Sequence, residues 1–225
     1  MKRVLFVVAQ AGQAAYFLPL WERWASRYGV KNGRPDWGIL AHQNAKNVIE
    51  KSAKGVQNYY VGSWGKYFES AISEFGKWGK PDVVVSSACG KQREIEASIY
   101  AHKHCIRHIQ VIDSWYKYAT RIQRSNEKCV LPDVITVIDE WARDIAIDQK
   151  LPENRVVCAG HPAWEKSIEY GMTKGKKSQV LFASQPLSEI PEMSCLGYNE
   201  HDVWDHLLAF RTVYPELIEE LVYHP

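Results

Sequence analysis

The sequence predicts an α/β protein built on a doubly wound parallel sheet, followed by the beginning of a second α/β domain. The segment from Pro81 to Arg121 gives the clearest indication. Val83–Val85 form an apolar, β-branched run that is too short for a helix and is typical of a buried strand. A small-residue turn, a helical pattern from about Lys91 and a second strand at His108–Ile112 follow. This order predicts a right-handed βαβ unit with parallel strands.

The N-terminal segment predicts the first βα unit. An apolar strand at Arg3–Ala9 leads into a small-residue loop at Gln10–Ala14, and a helix is expected from about Tyr16 to Tyr28. Pro19 would then lie near the first turn of that helix, where a missing N–H costs little. The loop holds Gly12 and Gln13, and it either offers backbone N–H groups and the helix dipole to a ligand or is simply a tight turn. A lone glycine is not a dinucleotide fingerprint.

The same alternation continues along the chain. Further strands are predicted at 37–41, 59–61, 134–138 and 155–159, with helices at 44–52 and 67–75, after Asp139 and after Pro162. Ligands of open α/β sheets bind outside the carboxyl ends of the strands. We therefore expect Ser86–Gly90 and Asp113–Tyr118, which follow neighbouring strands, to line one crevice.

The C-terminal part predicts a second domain. We assign residues 1–170 to the first domain, the polar, glycine-bearing segment 171–178 to a linker and residues 179–225 to the start of another α/β unit. That unit holds a strand at 179–183, a helix at 198–210 and a final segment, 217–223, that is a strand or a helix end. These few elements cannot bury a sheet of their own, and we therefore expect the second domain to be incomplete.

Composition narrows the function classes. The net charge is +2 and basic residues are scattered among acidic ones, which gives no reason to expect nucleic acid as a partner. Five cysteines without C-x-x-C spacing indicate reduced thiols in a cytoplasmic protein, not a disulfide framework or a zinc site. The apolar run Val4–Ala9 is too short for a signal or a membrane span. Peripheral contact with a membrane surface through tryptophan and basic side chains remains an alternative.

Three short motifs carry a resemblance to a known family. They are Asp113-Ser-Trp-Tyr-Lys-Tyr, Leu131-Pro-Asp-Val-Ile-Thr-Val-Ile-Asp and Ala159-Gly-His-Pro. The first is similar to the Asp-x-Trp segment of bacterial surface-polysaccharide enzymes, and the third to a Gly-Asn-Pro turn. Together with the element order, they resemble the GT-B sugar-nucleotide glycosyltransferases and the related UDP-N-acetylglucosamine 2-epimerases. The resemblance implies two Rossmann-like domains, with the nucleotide bound mainly by the second, and a chain that is truncated within that second domain.

The resemblance implies transfer of a sugar from a nucleotide-sugar donor to a glycan acceptor, without a further cofactor. Such a reaction needs a base for the acceptor hydroxyl and a positive group for the leaving diphosphate. Asp113, at a strand end, is our first candidate for the base, and Glu96, on the following helix, is the second. A turn or cap role for Asp113 and a solvated helix face for Glu96 are the alternatives.

Other residues are candidates for substrate binding because of their positions at predicted strand ends. They are Gly12, Gln13, Ser87, Trp115, Tyr118, Arg121, His161, Ser184 and Gln185. The aromatic rings would stack on a sugar or simply pack the loop, and Arg121 would meet a phosphate or an acidic sugar or only solvate the loop. His161 is either a contact residue or part of a turn. A metal site among His102, His104, His108 and Cys105 is disfavoured, because only His104 and His108 have i, i+4 spacing and a helix boundary separates them.

Three functions thus remain open on the sequence. The first is a GT-B-like glycosyltransferase, or its N-terminal part, acting on bacterial surface glycans at the inner face of the membrane. The second is a sugar-nucleotide 2-epimerase-like isomerase, and the third is a non-catalytic protein that binds a glycan or a partner. The sequence specifies neither the donor sugar nor the oligomeric state.

Overall fold

The computed structural model describes residues 3–28, 37–52, 60–63, 71–72, 80–88, 92–115, 117–122, 130–172, 179–183, 188, 197–215 and 220–224. The helices and strands follow in chain order as β1 (Val4–Val8), α1 (Ala11–Tyr28), β2 (Trp37–Ala41), α2 (Gln43–Ser52), β3 (Tyr60–Ser63), β4 (Val83–Ser87), α3 (Gln92–Lys103), β5 (Arg107–Val111), α4 (Tyr118–Ile122), β6 (Val134–Val137), α5 (Glu140–Asp148), β7 (Val156–Cys158), α6 (Pro162–Met172), β8 (Gln179–Ala183), α7 (Glu200–Val213) and β9 (Glu220–His224).

Within these residues, one sheet holds seven strands in the order β3-β2-β1-β4-β5-β6-β7. All of its neighbouring pairs are parallel. The central strand β1 pairs with β2 on one side and with β4 on the other, so that Val4 lies opposite both Trp37 and Val83. The predicted doubly wound parallel sheet is thereby confirmed.

Both faces of β1 are apolar because helices cover the sheet on two sides. Phe6 points to one face, where its ring lies 5.5 Å from that of Phe17 and 5.7 Å from that of Trp21, both on α1. Leu5 points to the opposite face, in a core cluster that includes Ala97 of α3. A strand buried on two faces needs a continuous apolar run, and β1 reads Val-Leu-Phe-Val-Val.

Helix α1 differs from the prediction in its first residue and in the position of Pro19 within the helix. It begins at Ala11, so the segment taken for a loop is its first turn, and Pro19 lies in the helix interior. Alanines at 11, 14 and 15 favour the helical conformation over an open loop. Gly12 and Gln13 therefore lie on a helix, and Gly12 is exposed.

The chain divides into two compact units, Met1–Glu169 and Tyr170–Pro225. In the second, β8 and β9 form a parallel pair, so the final segment that the sequence left open contains a strand. A capping box begins α7, because Asn199 and Asp202 each accept a backbone N–H of the other. Residues 171–172, assigned to a linker, form the end of α6, and residues 173–178 lie outside the described part. No helix among the described residues is long and apolar enough to cross a membrane.

Candidate functional site

The carboxyl ends of β1 and β4 flank the topological switch point of the sheet. From β1 the chain runs through α1 on one face to β2, and from β4 it runs through α3 on the other face to β5. The two connections diverge there and leave a crevice, which is where open α/β sheets bind ligands. Gln13 follows β1 and Ser87 ends β4, so both predicted binding residues lie at this point.

A buried hydrogen-bond network joins the two strand ends. The Ser87 hydroxyl oxygen lies 2.7 Å from Oε1 of Gln13 and 2.8 Å from Oε1 of Glu94. The backbone N–H of Gln10 also donates to Oε1 of Gln13, at 3.2 Å, which fixes the orientation of the amide. Gln13, Ser87 and Glu94 are all buried. The network therefore forms a polar floor to the crevice.

Glu94, and not Glu96, is the acid that contacts Ser87. Both lie on α3, but residues two positions apart on a helix point in directions about 200° apart. Glu94 is buried, whereas Glu96 is half-buried on another face. A signal for Glu94 existed in the sequence, because it continues the stripe of small buried residues formed by Ala97 and Ala101 at i+3 and i+7.

Asp113 lies at the end of β5 and is joined to the end of β4 by an arginine. Arg121 Nη1 donates to the backbone oxygen of Ala88 at 3.0 Å and to Oδ1 of Asp113 at 3.3 Å. The Asp113 side chain is 28% exposed and that of Arg121 is 16% exposed. Arg121 thus has a positioning role, because it holds the carboxylate beside the switch point while leaving it open to solvent.

Tyr16 and His161 complete this end of the sheet. The hydroxyl of Tyr16 donates to the backbone oxygen of Gly160 at 3.1 Å, and the two rings lie edge to face at 4.5 Å. Burial raises the pKa of Tyr16 well above its usual range, and the Asp113 and Glu165 carboxylates raise it further. Partial burial lowers the pKa of His161, which the same two carboxylates oppose. Tyr16 is therefore a neutral donor, and both side chains experience the charge of Asp113.

His161 is positioned by its place at the start of α6. Its Nδ1 accepts the backbone N–H of Trp164 at 3.3 Å, so the imidazole caps the helix. The preceding Gly160 has a φ of +80°, a conformation that L side chains rarely adopt. His161 therefore forms part of the turn, which is one of the two predicted alternatives, and it also lies close enough to Asp113 to experience its charge.

The two predicted aromatic residues of the Asp113 loop have different environments. Trp115 is half-buried, and its indole N–H donates to Oδ2 of Asp139 at 2.8 Å. Tyr118 is fully buried and its hydroxyl donates to the backbone oxygen of Ser114. Burial raises the pKa of Tyr118 to about 12, helped by Asp139 and opposed by Arg121. Its ring has no free face for a ligand, so the structure gives Tyr118 a packing role instead.

The other predicted positions contribute less to this geometry. Gly12 lies on the first turn of α1, and a Cβ placed there would meet no atom within 4 Å. Ser184 and Gln185 lie outside the described residues.

The histidines near Cys105 lie at the opposite edge of the sheet. A cavity of about 570 Å³ there is lined by His102, Cys105, His108 and Asp133, among others. His108 is buried, and its Nε2 lies 2.8 Å from the Ser86 hydroxyl. Among the described residues, no group of three or more His, Cys, Asp or Glu side chains is arranged to hold a metal ion.

A second cavity, of about 620 Å³, lies against the sheet face that carries α1. Its lining is mainly apolar, with Phe6 and Val85 from the strands and Tyr16 and Pro162 near the carboxyl edge. Tyr16 therefore lines this apolar space and also experiences the charge of Asp113.

The arrangement presents polar groups to a ligand. Asp113 is a half-buried carboxylate with a fixed orientation, and the Tyr16 hydroxyl oxygen lies at the same end of the sheet. The helices α1 and α3 both begin at the switch point, and helix N-termini attract anionic groups such as a diphosphate. Sequence reasoning missed Tyr16, because it placed this residue at the start of the helix and not one turn inside it.

Comparison with solved structures shows which proteins share this architecture. The UDP-GlcNAc 2-epimerase from Methanocaldococcus jannaschii superposes with a TM-score of 0.56 at 13% identity, over 99% of this chain. The enzyme from Neisseria meningitidis bound to UDP-GlcNAc gives 0.55 at 12% identity, also over 99%. The fold is that of the UDP-GlcNAc 2-epimerases. S. aureus MnaA, solved with UDP, has the same fold, with a TM-score of 0.56 at 14% identity over 99% of this chain.

The chain spans only part of the proteins that share the epimerase fold. It covers 66% of the M. jannaschii and N. meningitidis chains and 62% of S. aureus MnaA. No protein-family model and no curated protein sequence matches the chain.

Proposed function

We propose that this chain binds a nucleotide sugar at the switch-point crevice and that Asp113 acts as an acid/base group in an epimerase-like reaction on the sugar. The observation that carries the proposal is the position of the Asp113 carboxylate, fixed by Arg121 beside the ends of β4 and β5. The epimerase fold supports the choice of substrate class, since solved members of it hold UDP or UDP-GlcNAc.

The chemistry requires groups that remove and return a proton. The C2–H bond of a nucleotide sugar can break if its electron pair forms a C1=C2 double bond while the C1–O bond to the diphosphate breaks and UDP leaves. Return of the diphosphate to C1, with a proton delivered to the opposite face of C2, gives the epimer, so Asp113 serves one face and a second group or water serves the other. Asp113 Oδ1 is occupied by Arg121, and within the described residues Oδ2 has no such bond, so this oxygen is available to the substrate. Tyr16 donates its one hydroxyl proton to Gly160, so its oxygen would accept a hydrogen bond from a substrate hydroxyl.

Glycosyl transfer and binding without catalysis are the alternatives. Asp113 could equally take a proton from an acceptor hydroxyl, but the named structural neighbours are epimerases, which favours isomerisation. A pure binding protein would hold the ligand and leave its C2 hydrogen in place.

The proposal is tested by isotope exchange. The full chain is incubated with UDP-GlcNAc in deuterated water, and binding is measured in parallel by calorimetry. We expect binding and loss of the C2 proton signal. Asp113→Asn should abolish exchange and keep binding, while Asp144→Asn, an exposed acid on α5, should change neither.

Each outcome separates the alternatives. Binding without exchange would overturn the epimerase chemistry and leave the binding protein. Release of UDP that depends on an added glycan would favour transfer. Absence of binding to UDP-GlcNAc and to UDP would overturn the whole proposal.

A further inference from the structure

Three indole rings from three different elements meet at the carboxyl edge of the sheet. The rings of Trp115 and Trp164 are stacked at 5.1 Å with an interplanar angle of 30°. The ring of Trp141 lies 6.2 Å from that of Trp115, tilted by 39°. We refer to Trp115, Trp141 and Trp164 together as the indole platform.

Two rings of the indole platform are held in place, Trp115 by hydrogen bonding and Trp164 by stacking. Asp139 accepts the Trp115 indole N–H through Oδ2 and the Ala142 backbone N–H through Oδ1, so the side chain that caps α5 also fixes this ring. The His161 ring lies 4.2 Å from that of Trp164, with an interplanar angle of 9°. A ligand that binds fixed rings loses little affinity to side-chain ordering.

The platform is also exposed, which a packing role alone does not require. Trp141 is 65% exposed and Trp164 is 44% exposed. Rings of this size normally gain stability by burial, roughly 25 cal/mol for each Å² of apolar surface removed from water. A group of neighbouring aromatic rings that keeps so much surface in water is typical of a binding site.

The groups around the rings indicate the ligand chemistry. Asp139 adjoins Trp115, and Glu140, which is exposed, precedes Trp141 at the start of α5. Carboxylates accept hydrogen bonds from hydroxyl groups and repel phosphates. A pyranose ring presents a C–H face that stacks on an aromatic ring and hydroxyls at its rim, so it satisfies both kinds of group at once.

We propose that the indole platform binds a saccharide ring and that the outer face of Trp141 is its main contact. The platform adjoins the switch-point crevice, because His161 contacts both Tyr16 and Trp164, but the proposal does not depend on a nucleotide sugar binding in the crevice. The platform therefore assigns a saccharide ligand to this chain.

The indole N–H signals of an isotopically labelled full chain provide the test. The chain is titrated with maltohexaose, cellohexaose and chitohexaose. We expect at least one oligosaccharide to shift the Trp141 and Trp115 signals. Trp141→Ala should weaken that binding about 10-fold or more, as for an aromatic anchor, and Trp141→Phe should retain part of it.

Two control variants show whether the saccharide binds at the platform itself. Ile168→Ala removes a side chain that is 62% exposed on α6 and should leave saccharide affinity unchanged. His102→Gln, at an exposed position on the opposite edge of the sheet, should also leave it unchanged. Isotope exchange, which tests the proposed chemistry at Asp113, is measured separately, so the two proposals can fail independently. The proposal is overturned if all three oligosaccharides leave the indole signals unmoved at millimolar concentration, or if Trp141→Ala binds as tightly as the parent. It is also overturned if Trp141→Ala only abolishes self-association in sedimentation.

Discussion

Ser87 and Glu94 share a buried contact of 2.8 Å that joins the end of β4 to the first turn of α3. The same hydroxyl lies 2.7 Å from Oε1 of Gln13, which the Gln10 N–H holds in place as an acceptor. One hydroxyl proton serves the two acceptors in turn, and Nε2 of Gln13 also donates to Oε1 of Glu94 at 3.4 Å. The contacts of Glu94 therefore hold the first turn of α3 against the end of β4.

The contribution of Glu94 to stability can be tested by substitution. Glu94→Gln keeps an acceptor oxygen beside the Ser87 hydroxyl and should change the free energy of unfolding far less than Glu94→Ala. The alanine variant removes the acceptor of the Gln13 amide and one of the two partners of Ser87, and it should lose about 2 kcal/mol in urea unfolding. Equal losses in the two variants would contradict the expectation.

Gly160 and Gly12 provide a matched pair of positions at which the effect of backbone strain on stability can be compared. Gly160 has a φ of +80°, and a Cβ there would lie 3.0 Å from Oε1 of Glu165, whereas Gly12 has open space. Gly160→Ala should reduce stability by about 1–2 kcal/mol, because an L residue in this conformation is strained. Gly12→Ala should increase it by about 0.5 kcal/mol, because alanine favours the helix. Chemical denaturation of both variants measures this, and a neutral Gly160→Ala would argue against the described turn.

His108 makes stability depend on pH. Burial lowers its pKa to about 4 from an ordinary 6.5, against a smaller opposing effect of Asp133. Between these values the unfolded chain binds a proton that the folded chain does not, so the free energy of unfolding falls as pH drops through this window. The loss amounts to about 3 kcal/mol. Above pH 6.5 the contribution is complete.

Denaturation curves from pH 7 to pH 4 test this dependence. His108→Gln, which can still hydrogen-bond Ser86, should flatten the slope. His102→Gln, at an exposed position, should keep it. An unchanged slope in His108→Gln would assign the dependence to other groups.

Asp139 links the cap of α5 to the orientation of Trp115. Asp139→Ala removes both hydrogen bonds and should cost about 1–2 kcal/mol, as for other lost caps. Asp139→Asn has one acceptor oxygen for two N–H donors, so it should fall between the parent and the alanine variant. Thermal denaturation gives the order of stability, and the Trp115 indole signal reports the ring. A loss of stability without any change in that signal would contradict the link.

Local patterns were sufficient for the strands and most helices. The run at Val83–Val85 and the small-residue turn after it located β4 and, with it, Ser87 at the crevice. Gln13 was also placed correctly beside the end of β1. These assignments depend on apolar periodicity, which a sequence displays directly.

Contacts between distant residues were beyond such patterns. Glu94 and Glu96 differ only in which side of α3 meets the sheet, and the Ala97 and Ala101 stripe decides this in the folded chain. Tyr118 was predicted to contact a ligand. Aromatic residues occur both in hydrophobic cores and in binding sites, and only the folded structure shows that Tyr118 is buried. The indole platform joins residues from three elements, so no short motif contains it.

The pairing of β1 with β4 also affects how the polypeptide folds during translation. The backbone N–H of Arg3 bonds to the carboxylate of Asp82, 79 positions later, and the two strands pair from there. β2 supplies the first partner of β1, but the other side of β1 stays unpaired until β4 has been synthesised. Pairing across so long a separation in sequence is expected to slow closure of the sheet.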